Sequence, residues 1–222
     1  MHLTVREAAS YFDVDEDTIA HWIAERDLPV HRVSERLHLN AIELWEWAVA
    51  RGIPVSRRLL DEAQRTPDEI PPLWRLLQSG GIHRDLAGSD KDALLANMVQ
   101  RLRLPPEVDR DHLLAILEAR EAMGSTGIGD GIAIPHVRNP ILLHVAEPGV
   151  MLFLLTHPVD FGAVDGKPVQ TVFLVITPNI PAHLRVLSQL AFALRDSTLR
   201  DLLQERAADE KIVSRVQELE RG

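Results

Sequence analysis

Residues 124–136 read GSTGIGDGIAIPH, a glycine-rich stretch that runs into a short apolar segment and ends on a histidine. Four glycines within eight residues serve the backbone, because glycine adopts positive φ and lets neighbouring N–H groups converge. A concavity of this kind holds a phosphate or another anion. We therefore predict an anion-binding turn beside His136, with four candidate members: Thr126, Gly127, Gly129 and Gly131.

A histidine at the end of an anion-binding turn predicts phosphoryl chemistry on His136. Imidazole, with a reference pKa of about 6.5, is largely neutral near pH 7, so it attacks phosphorus without a separate base and later acts as a leaving group. The equatorial oxygens of an in-line transfer need donors or cations. Arg120 and His183 are candidates for this role, although the sequence leaves open whether they converge. The alternative is that His136 is an ordinary surface or hydrogen-bonded histidine.

Other kinds of site lack their sequence signatures. A dinucleotide-binding turn needs a helix directly after its glycines, whereas residues 132–135 are strand-like. The chain has no phosphate-binding loop of the G-x-x-x-x-G-K-[ST] type, no H-E-x-x-H zinc helix and no G-x-S-x-G nucleophile turn. We therefore expect no metal and no cofactor.

The pattern around this stretch is one of alternating helices and strands. Helices are predicted at residues 73–79, 89–102, 107–122 and 181–195 and near the C-terminus, and strands at residues 82–86, 131–134, 150–156 and 169–176. The helix after the first strand is predicted to open at Ser89, with Asp92 in its first turn. Such alternation indicates an α/β fold in which a mixed sheet is flanked by helices.

The first 55 residues follow a different, mostly helical pattern. Thr4 and Glu7 form a predicted capping box, and Asp15 is the predicted N-cap of a second helix. Two short strands at residues 30–33 and 36–39 can pair as a hairpin, and a third helix follows Asn40. We place a small domain at residues 1–55, a linker at 56–70 and the larger domain at 71–222.

Composition bounds where the protein works and what it binds. The longest apolar runs are strand-sized, far short of the roughly 20 residues that cross a bilayer, so no membrane span is expected. The N-terminus lacks an export signal and the chain has no cysteine, so a cytoplasmic location is expected. A net charge of −9 argues against indiscriminate binding of polyanions.

Residues from about 70 to 222 resemble the fructose/mannitol class of phosphotransferase-system enzyme IIA domains, which includes a nitrogen-regulatory branch. The motifs that carry the resemblance are Arg120-Glu121, the stretch at 124–136, Val159-Asp160-Phe161, Asp165-Gly166 and His183-Leu184. The resemblance implies that His136 accepts a phosphoryl group from a histidine phosphocarrier protein, supported by Arg120 and His183. Family members commonly have glycine after the proline-histidine pair. Here Val137 follows, and its β-branched side chain could narrow the access of the phosphocarrier.

Residues 1–55 resemble excisionase-type winged helix-turn-helix domains over the motifs at 4–9, 18–23, 28–33 and 43–47. The resemblance implies that the second helix enters the major groove of DNA and that the hairpin, or wing, contacts phosphates. The implied DNA contacts are Thr18, His21, Arg26, His31, Arg32 and Arg36. Residues 1–60 hold seven arginines and ten carboxylates, a net charge of −3, whereas DNA-binding modules are usually basic. A protein-interaction or dimerisation unit is therefore the competing interpretation, and Trp22, Trp45 and Trp47 are predicted to belong to the core.

Together these expectations describe a signalling protein in which phosphorylation of His136 changes what the helix-turn-helix module or a partner surface binds. A rival hypothesis is a sugar-transport component that passes phosphate to an enzyme IIB. A third is a binding scaffold that is not phosphorylated. A homodimer on a two-fold DNA site is plausible for the helix-turn-helix module but not required.

Overall fold

The computed structural model describes residues 2–26, 28–33, 36–51, 53, 70–104, 108–137 and 145–221. The chain divides into two compact units, Met1–Glu69 and Ile70–Gly222. Apart from Ile70, the predicted linker at residues 56–70 lies outside the described residues. Within the described ranges, no helix is long and apolar enough to cross a lipid bilayer.

Among its described residues, the first unit contains three helices and a small sheet. Its elements are β1 (His2–Leu3), α1 (Val5–Phe12), α2 (Glu16–Glu25), β2 (His31–Val33), β3 (Arg36–Asn40) and α3 (Ala41–Ala50). The strands pair antiparallel in the order β1-β3-β2, so the predicted hairpin is present. The predicted capping box of Thr4 and Glu7 and the predicted N-cap at Asp15 are both confirmed.

Aromatic side chains form the centre of this unit. The rings of Trp22 and Trp47 lie 5.2 Å apart, and Phe12 packs edge-on against both. The indole N–H of Trp47 donates to the backbone carbonyl of Arg26 at 2.9 Å, which ties α3 to the end of α2. Trp45 is buried as well. The three tryptophans therefore belong to the core, as predicted.

The second unit is an α/β structure of five strands and six helices among its described residues. Its elements are α4 (Leu73–Gly80), β4 (Ile82–Leu86), α5 (Lys91–Arg101), α6 (Arg110–Ala122), β5 (Gly127–Gly129), β6 (Ile132–Ala133), β7 (Gly149–Val159), β8 (Val169–Ile176), α7 (Ile180–Ala193), α8 (Ser197–Gln204) and α9 (Asp209–Arg221). The strand order is β4-β7-β8-β6-β5. The β4–β7 and β8–β6 pairs are parallel, and the β7–β8 and β6–β5 pairs are antiparallel. The predicted mixed sheet with flanking helices is confirmed.

The core of this unit lies between one face of the sheet and the helices α5 and α6. The two central strands are apolar along most of their length, as expected for strands that are covered on both faces. Leu94, Met98, Leu113 and Leu117 project from the two helices onto Phe153 and its neighbours. The sheet is thereby fixed against α6, which carries Arg120 at its last turn.

Two helices begin later than the sequence predicts. Helix α5 is capped by Asp90 rather than Ser89, because the Asp90 carboxylate accepts the Ala93 N–H while the Ser89 hydroxyl donates to Asp90. Helix α6 begins at Arg110, after an N-cap at Asp109 whose carboxylate accepts two backbone N–H groups. In both cases the side chain that reaches the free N–H groups of the first turn sets the start.

Candidate functional site

The glycine-rich stretch forms a β-hairpin that delivers the chain to His136. Its turn consists of Asp130 and Gly131, both left-handed, with φ of 52° and 72°. Two consecutive residues with positive φ match the right-handed twist of a tight hairpin, and Gly131 accommodates this without a Cβ. The glycines thus build strand β5 and its turn, whereas the sequence predicts a turn alone.

The candidate anion-binding residues are fixed by bonds within the hairpin and its neighbours. The Thr126 N–H donates to the carboxylate of Glu121 at 3.0 Å, and the Gly127 N–H donates to the Ser125 hydroxyl at 2.9 Å. A Cβ on Gly127 would lie 2.8 Å from the Cβ of Ala163, so glycine is required by close packing. Gly129 lies in β5 with φ of 99°, a conformation that favours glycine. Phosphate binding by Thr126, Gly127, Gly129 and Gly131 stays a prediction.

His136 lies beside the central strand β8. The Val175 N–H donates to the Pro135 carbonyl at 3.0 Å, and His136 pairs with Val175 in a parallel bridge that extends the β6 line. The imidazole is buried, and its Nδ1 lies 2.7 Å from the carbonyl oxygen of Ile134. Because a carbonyl only accepts, Nδ1 carries the hydrogen and the lone pair of the neutral ring is on Nε2.

His183 faces His136 from the beginning of α7. This helix is capped by Asn179, and the centroids of the two imidazole rings are 5.1 Å apart with the planes inclined at 49°. The Nδ1 of His183 lies 3.3 Å from the hydroxyl of Thr177, while its buried Nε2 has no hydrogen-bond partner among the described residues. Burial, followed by the positive charge on His136 when protonated and by Arg120, holds the pKa of His183 well below its usual range. His183 is therefore a neutral imidazole at pH 7.

Arg120 completes the cluster from the last turn of α6. It is buried, and its Nη1 donates to the carbonyl of Gly124 at 2.8 Å. Its charge contributes to the lowered pKa of His183, which places the guanidinium near that ring. The structure therefore brings together Arg120, His136 and His183, whose convergence the sequence leaves open.

The topology of the sheet explains this convergence. Strands β6 and β8 are neighbours and parallel, so both point the same way at the edge where they end. His136 follows β6 at this edge, and Thr177 follows β8 and leads into α7 with His183. Two histidines far apart in sequence therefore meet at the carboxyl ends of adjacent strands, as is common for sites in α/β sheets.

Two buried polar residues of the site were not predicted from the sequence to belong to it. Glu121 holds Thr126, and Thr177 contacts His183. The sequence feature that could have identified Glu121 is its position directly after Arg120, in the Arg120-Glu121 motif of the family resemblance. Thr177 has no comparable signal, because a threonine at the end of an apolar strand is common.

The suggested obstruction by Val137 is wrong. Its side chain is 1% exposed and belongs to the hydrophobic core that also contains Leu94 and Val172. Successive residues of an extended segment point to opposite faces, so the side chain after His136 is directed into the core. Val137 therefore does not stand in the path of a phosphocarrier protein.

The predicted DNA contacts lie in the first unit. Thr18 is partly exposed, and its hydroxyl donates to the Asp15 carboxylate at 2.6 Å as part of the cap. His21 and Arg26 are exposed on α2 and at its C-cap, and His21 lies 4.0 Å from Glu25. The predicted contacts in the wing are His31, Arg32 and Arg36. Their backbone belongs to β2 and β3, and their side chains lie outside the described part of the structure.

Charges on the exposed face of α2 are mainly acidic. Its first turn carries Glu16 and Asp17, and Glu16 forms an ion pair with Arg6 at 3.0 Å.

Across the described ranges, no three acidic or histidine side chains come close enough to bind a metal ion.

Comparison with known proteins gives a consistent picture for the second unit. Residues 75–218 match the family model described as "Phosphoenolpyruvate-dependent sugar phosphotransferase system, EIIA 2". A nitrogen regulatory protein of Pseudomonas aeruginosa is 38% identical over 139 residues, which cover 61% of this chain and 87% of that protein. The nitrogen regulatory protein of Escherichia coli K12 is 39% identical over 117 residues, covering 51% of this chain and 67% of that protein.

Among solved structures, the nitrogen regulatory protein IIA-Ntr of Neisseria meningitidis is similar in fold and sequence. It is 31% identical, with a TM-score of 0.55, and the match covers 67% of this chain and 97% of that chain. The alignment length corresponds to the second unit, so these relatives inform residues from about 70 onward.

Proposed function

Because this chain belongs to the EIIA 2 family of the phosphoenolpyruvate-dependent sugar phosphotransferase system, we propose that it is a regulatory protein that accepts a phosphoryl group on His136. The observation that carries the proposal is the buried pair of His136 and His183 with Arg120 beside it. The donor is the phosphohistidine of a phosphocarrier protein. Similarity to nitrogen regulatory proteins favours a signalling role over a purely metabolic one.

The hydrogen bond at Nδ1 supports Nε2 as the reacting atom of His136. Since Nδ1 donates its hydrogen to the Ile134 carbonyl at 2.7 Å, Nε2 of His136 attacks phosphorus. The N–P bond to the donor histidine breaks as the bond to Nε2 forms, and the proton on Nδ1 stays in place. The Ile134 carbonyl then stabilises the positive charge that the ring gains, so no separate base is needed.

Arg120 and His183 differ in what they offer the transferred group. Arg120 supplies positive charge that is present at every physiological pH. His183 is held neutral by burial. If Thr177 donates to its Nδ1, its Nε2–H is a neutral donor on the ring that neighbours His136. A charged donor and a neutral donor near His136 stabilise the equatorial oxygens during transfer.

The first unit is proposed to be the output of this switch. A phosphoryl group adds roughly two negative charges at the site, enough to bias a contact with a partner. DNA is one candidate partner, supported by the helix–helix–hairpin order and by exposed His21 and Arg26. The acidic residues at the start of α2 favour the second candidate, a basic protein surface. Transfer onward from His136 to an enzyme IIB is the alternative function for the second unit.

The phosphoryl step is tested with labelled phosphate. The wild-type chain and His136→Ala are each incubated with labelled phosphoenolpyruvate, enzyme I and the phosphocarrier. His157→Ala is the matched control, because His157 is an exposed histidine of β7. We expect label on the wild type and on His157→Ala and none on His136→Ala. A folded wild type that stays unlabelled by active donors would leave a binding scaffold as the function.

The output is tested separately, with a pool of random duplex DNA. The phosphorylated and unphosphorylated chains are each used to select bound DNA, with Arg26→Ala as the comparison. Sequence enrichment that depends on Arg26 and on phosphorylation supports a DNA-binding switch. Absence of enrichment for both forms contradicts it and leaves the protein-interaction role.

A further inference from the structure

Glu121 is a buried carboxylate next to the proposed site that the phosphoryl-transfer scheme does not use. It is 4% exposed at the C-terminal end of α6, directly after Arg120. A carboxylate is costly to bury unless hydrogen bonds and opposite charge compensate it. Its partners therefore indicate what it does.

The partners of Glu121 lie at the entrance to the hairpin. The backbone N–H of Thr126 donates to its two oxygens at 3.0 and 3.3 Å, and the Thr126 hydroxyl donates at 2.7 Å. The ammonium group of Lys91 lies 3.8 Å away and supplies the compensating charge. Thr126 is therefore held at both its backbone and its side chain by one carboxylate.

From Thr126 to His136 the path consists of two hydrogen bonds that are joined by the covalent backbone of Ile134. The Thr126 carbonyl accepts the Ile134 N–H at 3.0 Å, and the Ile134 carbonyl lies 2.7 Å from Nδ1 of His136. The coupling along this path is positional, because the Thr126–Ile134 bond fixes where the Ile134 carbonyl lies. The Ile134 carbonyl selects the tautomer of His136. It is connected to Glu121 through Thr126 and the backbone of Ile134.

The side chain of Arg120, next to Glu121, fixes the start of the segment 124–126 that leads into the hairpin. Arg120 donates to the Gly124 carbonyl at 2.8 Å, while Glu121 holds Thr126 two residues later. Adjacent residues of one helix therefore anchor residues 124–126 on both sides. The turn sets the distance between the guanidinium of Arg120 and the hairpin that carries His136.

We propose that Glu121 is a positioning residue that acts through Thr126 and Ile134 to hold His136 as the Nδ1–H tautomer, with Nε2 directed into the site. The inference rests on the proposed function, because it assigns a role in phosphoryl transfer. Its physical content, the tautomer and orientation of one imidazole, is measurable without any phosphoryl donor. A purely structural Glu121 would affect the free energy of unfolding but not the ring of His136.

The test uses the full chain and four variants. Glu121→Gln removes the charge at nearly constant shape, and Thr126→Val removes the hydroxyl while keeping the branched side chain. Thr126→Ser restores the hydroxyl, and Glu118→Gln is the charge-matched control on the same helix. The readouts are the ring nitrogen resonances of His136 in 15N-labelled protein, assigned with His136→Gln, and the rate of phosphoryl uptake from the phosphocarrier.

We expect a single Nδ1–H tautomer in the wild type, in Thr126→Ser and in Glu118→Gln. In Glu121→Gln and Thr126→Val the ring is expected to show a mixture with the Nε2–H tautomer. Uptake by Glu121→Gln is expected to fall about 10- to 100-fold, as for a misplaced reacting group, while Glu118→Gln is unchanged.

An unchanged His136 ring in folded Glu121→Gln and Thr126→Val overturns the proposal. If Glu121→Gln does not fold, the comparison of Thr126→Val with Thr126→Ser decides it. The failure of this proposal can be distinguished from the failure of the proposed function. A wild type that takes up no phosphate contradicts phosphoryl acceptance on His136. The ring resonances of His136 still decide the role of Glu121 in that case.

Discussion

The hydroxyl of Thr177 lies 3.3 Å from Nδ1 of His183, and both side chains are fully buried. Thr177 follows the last residue of β8, and His183 lies in the first turns of α7. The hydroxyl therefore orients the ring from the end of the strand that also pairs with His136. Contacts of this kind, made by residues outside the reacting group, determine how closely the two imidazoles are held.

Removal of the Thr177 hydroxyl should impair both folding and phosphoryl uptake. In Thr177→Val the buried Nδ1 of His183 loses this contact, which costs about 1–3 kcal/mol in the free energy of unfolding. Uptake of label should fall about tenfold, since a donor to the phosphoryl group is no longer oriented. Denaturant titration and single-turnover labelling measure the two effects. Thr177→Ser should retain most of both, and equal defects in the two variants would contradict a role for the hydroxyl.

The lowered pKa of His183 predicts a pH-dependent stability. The unfolded chain binds a proton on this residue as the pH falls below about 6.5, whereas the folded chain does not until a lower pH. The free energy of unfolding should therefore decrease on acidification, with a slope of at most about 1.4 kcal/mol per pH unit from this group. Above that range both states are neutral and the contribution is constant.

Comparison of the wild type with His183→Gln isolates this contribution. Urea titrations at pH 7, 6 and 5 should give a shallower pH dependence for the variant. The other nine histidines are common to both proteins, so those that do not interact with His183 cancel in the difference. Parallel slopes would show that the His183 ring is protonated as easily in the folded as in the unfolded chain.

Glu220 is predicted to stabilise the beginning of the second unit. Its carboxylate, near the end of α9, accepts the N–H groups of Leu73 and Trp74 at 2.8 and 3.2 Å, where α4 lacks a side-chain cap of its own. Glu220→Ala should cost about 1 kcal/mol, because a capping carboxylate is lost at a helix N-terminus. Thermal unfolding measures the effect. Ser214→Ala, at an exposed position of the same helix, is the control, and an equal effect in both would contradict the capping role.

Gly127→Ala should be poorly tolerated. The added Cβ would lie 2.8 Å from the Cβ and 2.9 Å from the Cα of Ala163, a backbone position that cannot move without shifting the loop. Overpacking of this kind costs typically about 1–3 kcal/mol. In Gly149→Ala the nearest heavy atom is the Met151 sulfur at 3.5 Å, an ordinary contact, so the change should be small. Denaturant midpoints of the two variants provide the comparison.

Local signals were sufficient for many elements of the fold. The capping box of Thr4 and Glu7 and the strands Ile82–Leu86 and Val169–Ile176 follow from side chains that act within a few residues of their own backbone. Signals failed where two local solutions compete. Ser89 and Asp90 are both good N-cap residues, and the choice of Asp90 depends on which backbone is extended before the helix.

Strand β5 illustrates a limit of a different kind. Its glycines have low intrinsic preference for strands, and the segment is extended because it pairs with β6 and approaches Ala163 closely. The direction of Val137 was equally inaccessible, since it depends on which face of the extended segment meets the core. The identity of a single residue does not specify on which face of the sheet its side chain lies.

The sequence by itself determined the identity of the candidate groups: a histidine after a glycine-rich turn, an arginine at a helix end and a second histidine at a helix start. The tertiary structure alone decided that these groups meet, because β6 and β8 are adjacent and parallel and bring their ends to one edge. It also decided the states of the groups. The Ile134 carbonyl selects the tautomer of His136, and burial beside Arg120 keeps His183 neutral. Desolvation and hydrogen bonding depend on neighbours in space, which a linear pattern does not contain.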